Sequence, residues 1–214
     1  MKYLPLRREI IRTVRSFAAR DLGVGSAGNL SARVAGGFLI TPTGIPYDHM
    51  RAGDLVELDS RGRRRSGRLE PSSEWRFHRD IYGNHADVGA VVHVHSPFAT
   101  AVACRRESIP AFHYMVAIAG GSDVRCAAYA SFGTGALSRN AIRALRGRRA
   151  CLLANHGMIA LGADVRAAID MAIEVEELAR QYWLARQLGR PVLLDAGEMK
   201  VIREKFRRYG KQQR

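Results

Sequence analysis

Apolar positions recur along this chain in two rhythms, one near helical spacing and one near every second residue. Residues 4–21 place Leu6, Ile10, Val14, Phe17 and Ala18 on one helical face. The glycines between residues 23 and 28 end that helix. Short strand patterns follow at 30–34, 38–41 and 55–58, the first two joined by a hairpin turn at Ala35-Gly36-Gly37. The arginine-rich stretch 61–68 reads as an exposed loop. Ser72-Ser73-Glu74 then opens a helix running to about residue 84, with serine accepting backbone N–H bonds and glutamate favouring the first turn.

The run 88–95 is apolar until its last residues and reads as a buried strand ending at Ser96-Pro97. Helices are expected near 98–104 and 134–147, with an irregular or strand-like stretch at 124–132 between them. Strands follow at 150–154 and 157–161. The longest periodic segment, 164–188, carries Val165, Ile169, Ala172, Ile173, Leu178, Tyr182 and Leu188, and Gly189-Arg190-Pro191 stops it. A last helix covers about 196–208. Strands and helices are mixed rather than set in a regular βαβ series, which predicts one α/β domain over the 214 residues.

Composition narrows the class of protein. No stretch is apolar for long enough to span a membrane, and charge at Arg7-Arg8-Glu9 comes too early for a secretory leader. The three cysteines, Cys104, Cys126 and Cys151, are odd in number, widely spaced and without a CxxC pair. They read as core thiols in a cytoplasmic protein. Net charge is +14, which favours anionic partners such as phosphorylated small molecules. The basic clusters at 61–68, 146–149 and 205–214 are not interleaved with stacking aromatics, so nucleic-acid binding is not expected. All four lysines, Lys2, Lys200, Lys205 and Lys211, lie near the ends. Carbonyl chemistry here is therefore expected to use a metal rather than a Schiff base.

His93-Val94-His95 supplies the candidate metal. Residues i and i+2 on a strand share a face, so both imidazoles converge. His156, in Asn155-His156-Gly157, is the candidate third ligand. Three protein ligands with one open position is the pattern of a catalytic zinc site. His49, His78, His85 and His113 remain competing donors by spacing alone. Glu74 is the strongest acid–base candidate if the fold brings it to the metal. Gly25-Ser26-Ala27-Gly28-Asn29, Thr41-Pro42-Thr43-Gly44 and Ser72-Ser73 offer hydroxyl, amide and backbone N–H donors, and together form a candidate phosphate subsite.

Taken in order, Gly28-Asn29-Leu30-Ser31, Thr41-Pro42-Thr43-Gly44, Pro71-Ser72-Ser73-Glu74, Val92-His93-Val94-His95, Ile109-Pro110-Ala111-Phe112-His113-Tyr114, Phe132-Gly133-Thr134 and Asn155-His156-Gly157 resemble the class II aldolase/adducin family. The likeness is strongest to its bacterial L-fuculose-phosphate aldolase branch and runs over about residues 8–185. It implies a three-layer α/β/α fold with a central mixed, mainly antiparallel sheet, and a homotetramer with active sites between subunits. By motif match, His93, His95 and His156 hold Zn²⁺, or another divalent metal such as Co²⁺ or Mn²⁺. Glu74 is implied as general acid–base and as occupant of the open metal position. Gly28, Asn29, Thr43, Gly44, Ser72 and Ser73 are implied to hold the substrate phosphate.

In the implied reaction, Tyr114 from a neighbouring subunit handles the proton on the aldehyde-derived oxygen, and Tyr209, in a mobile tail at about 200–214, closes over the site. The C3–C4 bond of a ketose 1-phosphate breaks, an aldehyde leaves, and Glu74 protonates the dihydroxyacetone phosphate half. The ketose is expected to be L-fuculose 1-phosphate, 5-deoxyribulose 1-phosphate or 5-methylthioribulose 1-phosphate. The same scaffold also admits a methylthioribulose-1-phosphate dehydratase, a pentulose-5-phosphate 4-epimerase or a sugar-acid-phosphate decarboxylase. An adducin-like interaction module is the non-catalytic alternative.

Overall fold

The two-residue rhythm sorts the strand side chains onto opposite faces of one sheet. The computed structural model describes residues 1–23 and 25–208, with backbone only at Arg208. Its strands are Asn29–Val34 (β1), Gly37–Ile40 (β2), Val56–Asp59 (β3), Arg64–Ser66 (β4), Ala90–Val94 (β5), Cys126–Ala127 (β6), Ala150–Leu153 (β7) and Gly157–Gly162 (β8). They form one sheet in the order β4-β3-β2-β1-β5-β8-β7-β6. Every pairing is antiparallel except β6 with β7. This is the mixed, mainly antiparallel sheet that the motifs implied.

Helices cover both faces. Leu4–Arg15 (α1), Pro97–Cys104 (α3) and Val165–Gln187 (α5) lie on one side, where Ile10, Val14, Ala99 and Ala172 pack on Leu30, Val92, Val94 and Met158. Ala196–Arg208 (α6) joins this layer through Met199 and Ile202. Trp75–Asn84 (α2) and Gly135–Ala144 (α4) cover the other side, where Phe77, Ile81, Leu137 and Ala141 meet Phe38, Val91, Cys151 and Ile159. Adjacent strand residues thus serve different cores: Val92 and Val94 one, Val91 the other. The ends are fixed locally. Thr134 caps α4 by accepting from the Leu137 amide at 3.2 Å, and Asp164 caps α5 by accepting from Ala167 at 2.7 Å.

Several expectations change. The first helix stops at Arg15, and a separate 3₁₀ turn spans Ala18–Arg20. The loop expected at 61–68 contains β4, an edge strand of exposed residues. Arginines suit an exposed edge because charge discourages pairing with other chains, and that same polarity hides the strand from hydropathy. Only Cys126–Ala127 of 124–132 is strand. A 3₁₀ helix at Tyr114–Ala119 was not anticipated. Of the three thiols read as core, Cys151 is buried, Cys126 half-buried and Cys104 exposed. No helix among the described residues is long and apolar enough to cross a membrane.

Candidate metal centre and substrate cleft

The centre of the sheet brings the candidate ligands together. β5 lies between β1 and β8, and His93 sits opposite Asn29 on one side and Ile159 on the other. His93 is fully buried. His95 follows β5 directly, and His156 stands in the turn between β7 and β8. That turn is tight: Asn155 takes the left-handed conformation at φ 53°. At Gly157 an added Cβ would lie 2.4 Å from the Val94 oxygen and 2.9 Å from His95 Cδ2, so any side chain there displaces His95. After His95, the buried Glu176 carboxylate of α5 accepts from the Phe98 and Ala99 amides, both at 2.8 Å, and anchors the start of α3.

The three imidazoles form a compact set, with one nitrogen from each lying within 4.8 Å of the others. His93 Nδ1–H donates to the Met158 carbonyl at 2.8 Å, which leaves Nε2 facing the cluster. His95 Nε2 is 3.0 Å from His93 Nε2. Glu74 completes the group, with Oε2 3.1 Å from His93 Nε2 and Oε1 3.4 Å from His156 Nε2. Oε1 is buried and accepts no hydrogen bond. Converging nitrogen lone pairs beside an under-satisfied carboxylate need a shared cation. A proton on His93 serves one contact, whereas a divalent ion serves all four groups. The donor set therefore fits a metal.

Electrostatics agree with that fit. Burial pushes the Glu74 carboxyl up, but His93, His156 and the Asn29 amide outweigh it and hold it at about 2, so it is ionised. Burial, followed by the neighbouring imidazoles, pushes His95 and His156 down to about 4. Neutral imidazole is the form that ligates metals. For His93 burial acts downward, and the Glu74 carboxylate reverses it and raises the group above its ordinary value.

The cluster forms one end of a cleft of about 340 Å³. Gly28, Asn29, Thr43, Gly44, Ser72, Ser73, Glu74, His95 and His156 all line it. His93 is buried behind them. Gly28 shows why the cradle can approach the cluster. Its φ is +94°, and an added Cβ would lie 2.5 Å from the His93 carbonyl oxygen. Ser72 accepts a backbone N–H at the start of α2 as expected, but glutamate stands one place earlier than the first turn. Glu74 occupies the N-cap position without a side-chain cap bond, and Ser72 Oγ accepts its amide at 3.3 Å. The Glu74 side chain is thus turned toward the histidines rather than back onto the helix.

Among the competing donors, His78 is nearby but faces Asn29 and Ser31 beneath the cleft. Tyr114 is half exposed and lies outside this cleft. It lines a separate hollow of about 1420 Å³ between the Tyr114–Ala119 turn and α6, with its ring parallel to that of Phe206 at 6.4 Å. Tyr209 lies outside the described residues. The cleft also holds groups to which the motifs gave no role. Tyr129 and Phe132 stand exposed at its mouth, and Arg106 donates to Asn155 Oδ1 at 2.8 Å while lying over the Tyr129 ring. In the sequence, Phe132 stood in the quoted Phe132-Gly133-Thr134 motif without a role, and Tyr129 was marked only by the irregularity of 124–132.

Residues 8–183 match the family model described as the class II aldolase and adducin N-terminal domain. The chain belongs to this family. It is 54% identical over 207 residues to a 5-methylthioribulose-1-phosphate/5-deoxyribulose-1-phosphate aldolase of Rhodospirillum rubrum, covering 97% of this chain and 93% of that one. It is 45% identical over 206 residues to the L-fuculose phosphate aldolase of Escherichia coli K12, covering 96% and 95%. A solved L-fuculose 1-phosphate aldolase superposes with a TM-score of 0.93 at 41% identity, covering 97% of this chain and 98% of that one. Family membership and fold agree with the resemblance read from the motifs.

Proposed function

We propose that this protein is a metal-dependent aldolase that reversibly cleaves a ketose 1-phosphate to dihydroxyacetone phosphate and an aldehyde. One observation carries the reading: three imidazoles and a buried carboxylate close one end of a cleft whose remaining wall is rich in phosphate-type donors. The names of the similar aldolases support the same reaction class. The greater identity to the first of them favours 5-methylthioribulose or 5-deoxyribulose 1-phosphate over L-fuculose 1-phosphate, and with it a place in methylthioadenosine salvage.

In this reading His93, His95 and His156 would hold one Zn²⁺ per subunit, with Co²⁺ or Mn²⁺ as substitutes, and Glu74 would stand beside it. The metal supplies Lewis acidity that draws charge from the ketose carbonyl. Gly28, Asn29, Thr43, Gly44, Ser72 and Ser73 hold the phosphate and fix the reacting carbon beside Glu74. Glu74, ionised before substrate enters, takes the proton from the dihydroxyacetone phosphate carbon in the synthetic direction, and in cleavage returns to that carbon a proton released from the substrate hydroxyl. Tyr114 of a neighbouring subunit handles the proton on the departing aldehyde oxygen, which requires self-association as a homotetramer.

Purified protein incubated with each of the three ketose 1-phosphates tests the proposal. Dihydroxyacetone phosphate released from at least one, lost on chelation and restored by Zn²⁺, is the expected result. A diketone without carbon–carbon cleavage would assign the dehydratase activity instead. A metal-free, chelator-insensitive protein inert to all three would favour the interaction module.

A further inference from the structure

Beneath the cleft, two polar stripes face each other in an otherwise apolar layer. Asn29 and Ser31 point from β1, and His78 and Tyr82 point from α2, where Glu74 is the preceding cap. His78 and Ser31 are fully buried, and Asn29 and Tyr82 nearly so. His78 does not line the cleft. We propose that His78 is a positioning residue that orients the Asn29 carboxamide and, through it, the Glu74 carboxylate.

The network has one self-consistent direction. Asn29 Nδ2–H donates to Glu74 Oε2 at 3.0 Å. Its Oδ1 must then face His78 Nε2, 2.5 Å away, so Nε2 carries the proton. His78 Nδ1 is left as an acceptor and takes the Ser31 hydroxyl proton at 2.6 Å. Ser31 Oγ in turn accepts from Tyr82 O–H at 2.8 Å. Reversing the Asn29 amide would set its oxygen against the carboxylate and its N–H₂ against an N–H. The chain of donors therefore selects one amide orientation. That orientation ties Oε2 to Asn29 at 3.1 Å from His93 Nε2, and turns Oε1, which accepts no hydrogen bond among the described residues, toward His156 Nε2 at 3.4 Å. Of the network, Asn29 and Glu74 line the cleft and His78 is hydrogen-bonded only to the first of them, so His78 acts through Asn29.

This inference rests on the aldolase reading, and its test separates the two. Glutamine at 78 can present an N–H near the position of Nε2, whereas asparagine reaches only to the position of Nδ1. In metal-saturated enzyme, His78→Asn should lower kcat about 10- to 100-fold while changing KM less than about threefold, with metal content unchanged. His78→Gln should recover most of the rate. Long-range ¹H–¹⁵N spectra of the wild-type protein should show His78 as the Nε2–H tautomer, and Ser31→Ala should weaken that preference. Equal losses in the two variants, matching their folded fractions, would overturn the proposal, as would an Nδ1–H tautomer. If His78→Asn does not fold, the tautomer spectra of wild type and Ser31→Ala decide it. If the wild type releases no dihydroxyacetone phosphate, the aldolase reading fails while the spectra still test the orientation of His78.

Discussion

The cleft and the hollow beside Tyr114 are built in opposite ways. The cleft is held by the middle of the sheet, and the polar groups at its closed end are tied in place: Glu74 to Asn29, Asn29 to His78, His93 to the Met158 carbonyl. The hollow is walled by a six-residue 3₁₀ turn and by α6, and Tyr114 stands half exposed on its rim. One region has its geometry set within the chain. The other presents a half-exposed phenol at the start of a turn whose later residues, Val116, Ala117 and Ala119, are buried in the core. In the proposed reaction, metal and phosphate binding depend on the fold of one subunit, and proton delivery to the aldehyde depends on assembly.

The largest effect should come from the core of the self-contained region. His93→Ala removes the fully buried imidazole, and we expect metal analysis to show less than one ion per subunit and cleavage to fall to background. Retained metal and rate would mean that the cluster is not the ligand set. Glu74→Gln keeps the shape and removes the charge. It should lower kcat about 10³- to 10⁴-fold with metal still bound, as measured by steady-state cleavage. A variant with full rate would remove Glu74 from proton transfer.

Tyr114→Phe should cost about 10²-fold in kcat without loss of metal. Dissociating Tyr114→Phe and Glu74→Gln together and letting them reassemble sharpens the comparison. Recovery of roughly a quarter of the wild-type sites in an equal mixture is expected if each site joins two chains. Recovery of nothing would place Tyr114 in service of its own subunit.

The last effect is thermodynamic and leaves the chemistry aside. Burial holds His78 at about 3, and His95 and His156 lie at about 4. Above pH 6.5 these groups are neutral whether the chain is folded or not. Below it the unfolded chain takes up protons that the folded chain refuses, so stability falls with pH until the folded values are reached. Each group contributes up to ~1.4 kcal/mol per pH unit in that window. Urea unfolding of metal-free protein at pH 7, 6 and 5 should show the decline. A constant midpoint would mean that these imidazoles are not held neutral by the fold.

Much of this was legible in the sequence, for reasons that particular residues make clear. The strand at β5 and the helix at α5 announced themselves because their apolar positions repeat at the period of the structure that buries them. His93 and His95 were legible as a pair because a strand sends alternate residues to one face. That Gly28, Thr43 and Ser72 would share one polar wall was legible because they are turn residues with donors to spare. What escaped were features without a hydrophobic signature. β4 pairs through its backbone, and its arginines say nothing about it. His78 read as a rival metal donor because its role depends on Asn29, 49 residues away. A clue was present in two polar stripes of different period, Asn29 and Ser31 at spacing two, and Glu74, His78 and Tyr82 at spacing four. Each stripe alone looks like a solvated face, and only their mutual burial makes them a network.

The position of β5 also governs how the site comes into being. His93 lies 65 residues along the chain from the Met158 carbonyl that fixes its ring. Both neighbours of β5 are similarly remote, so the strand can join the sheet only after two long loops have closed. A metal ion has no preformed site until that slow step is complete. Folding should therefore run ahead of metallation, with the ion acting as a latch on a finished sheet rather than a nucleus for it. Refolding rates should be indifferent to added zinc, while unfolding of the loaded protein slows.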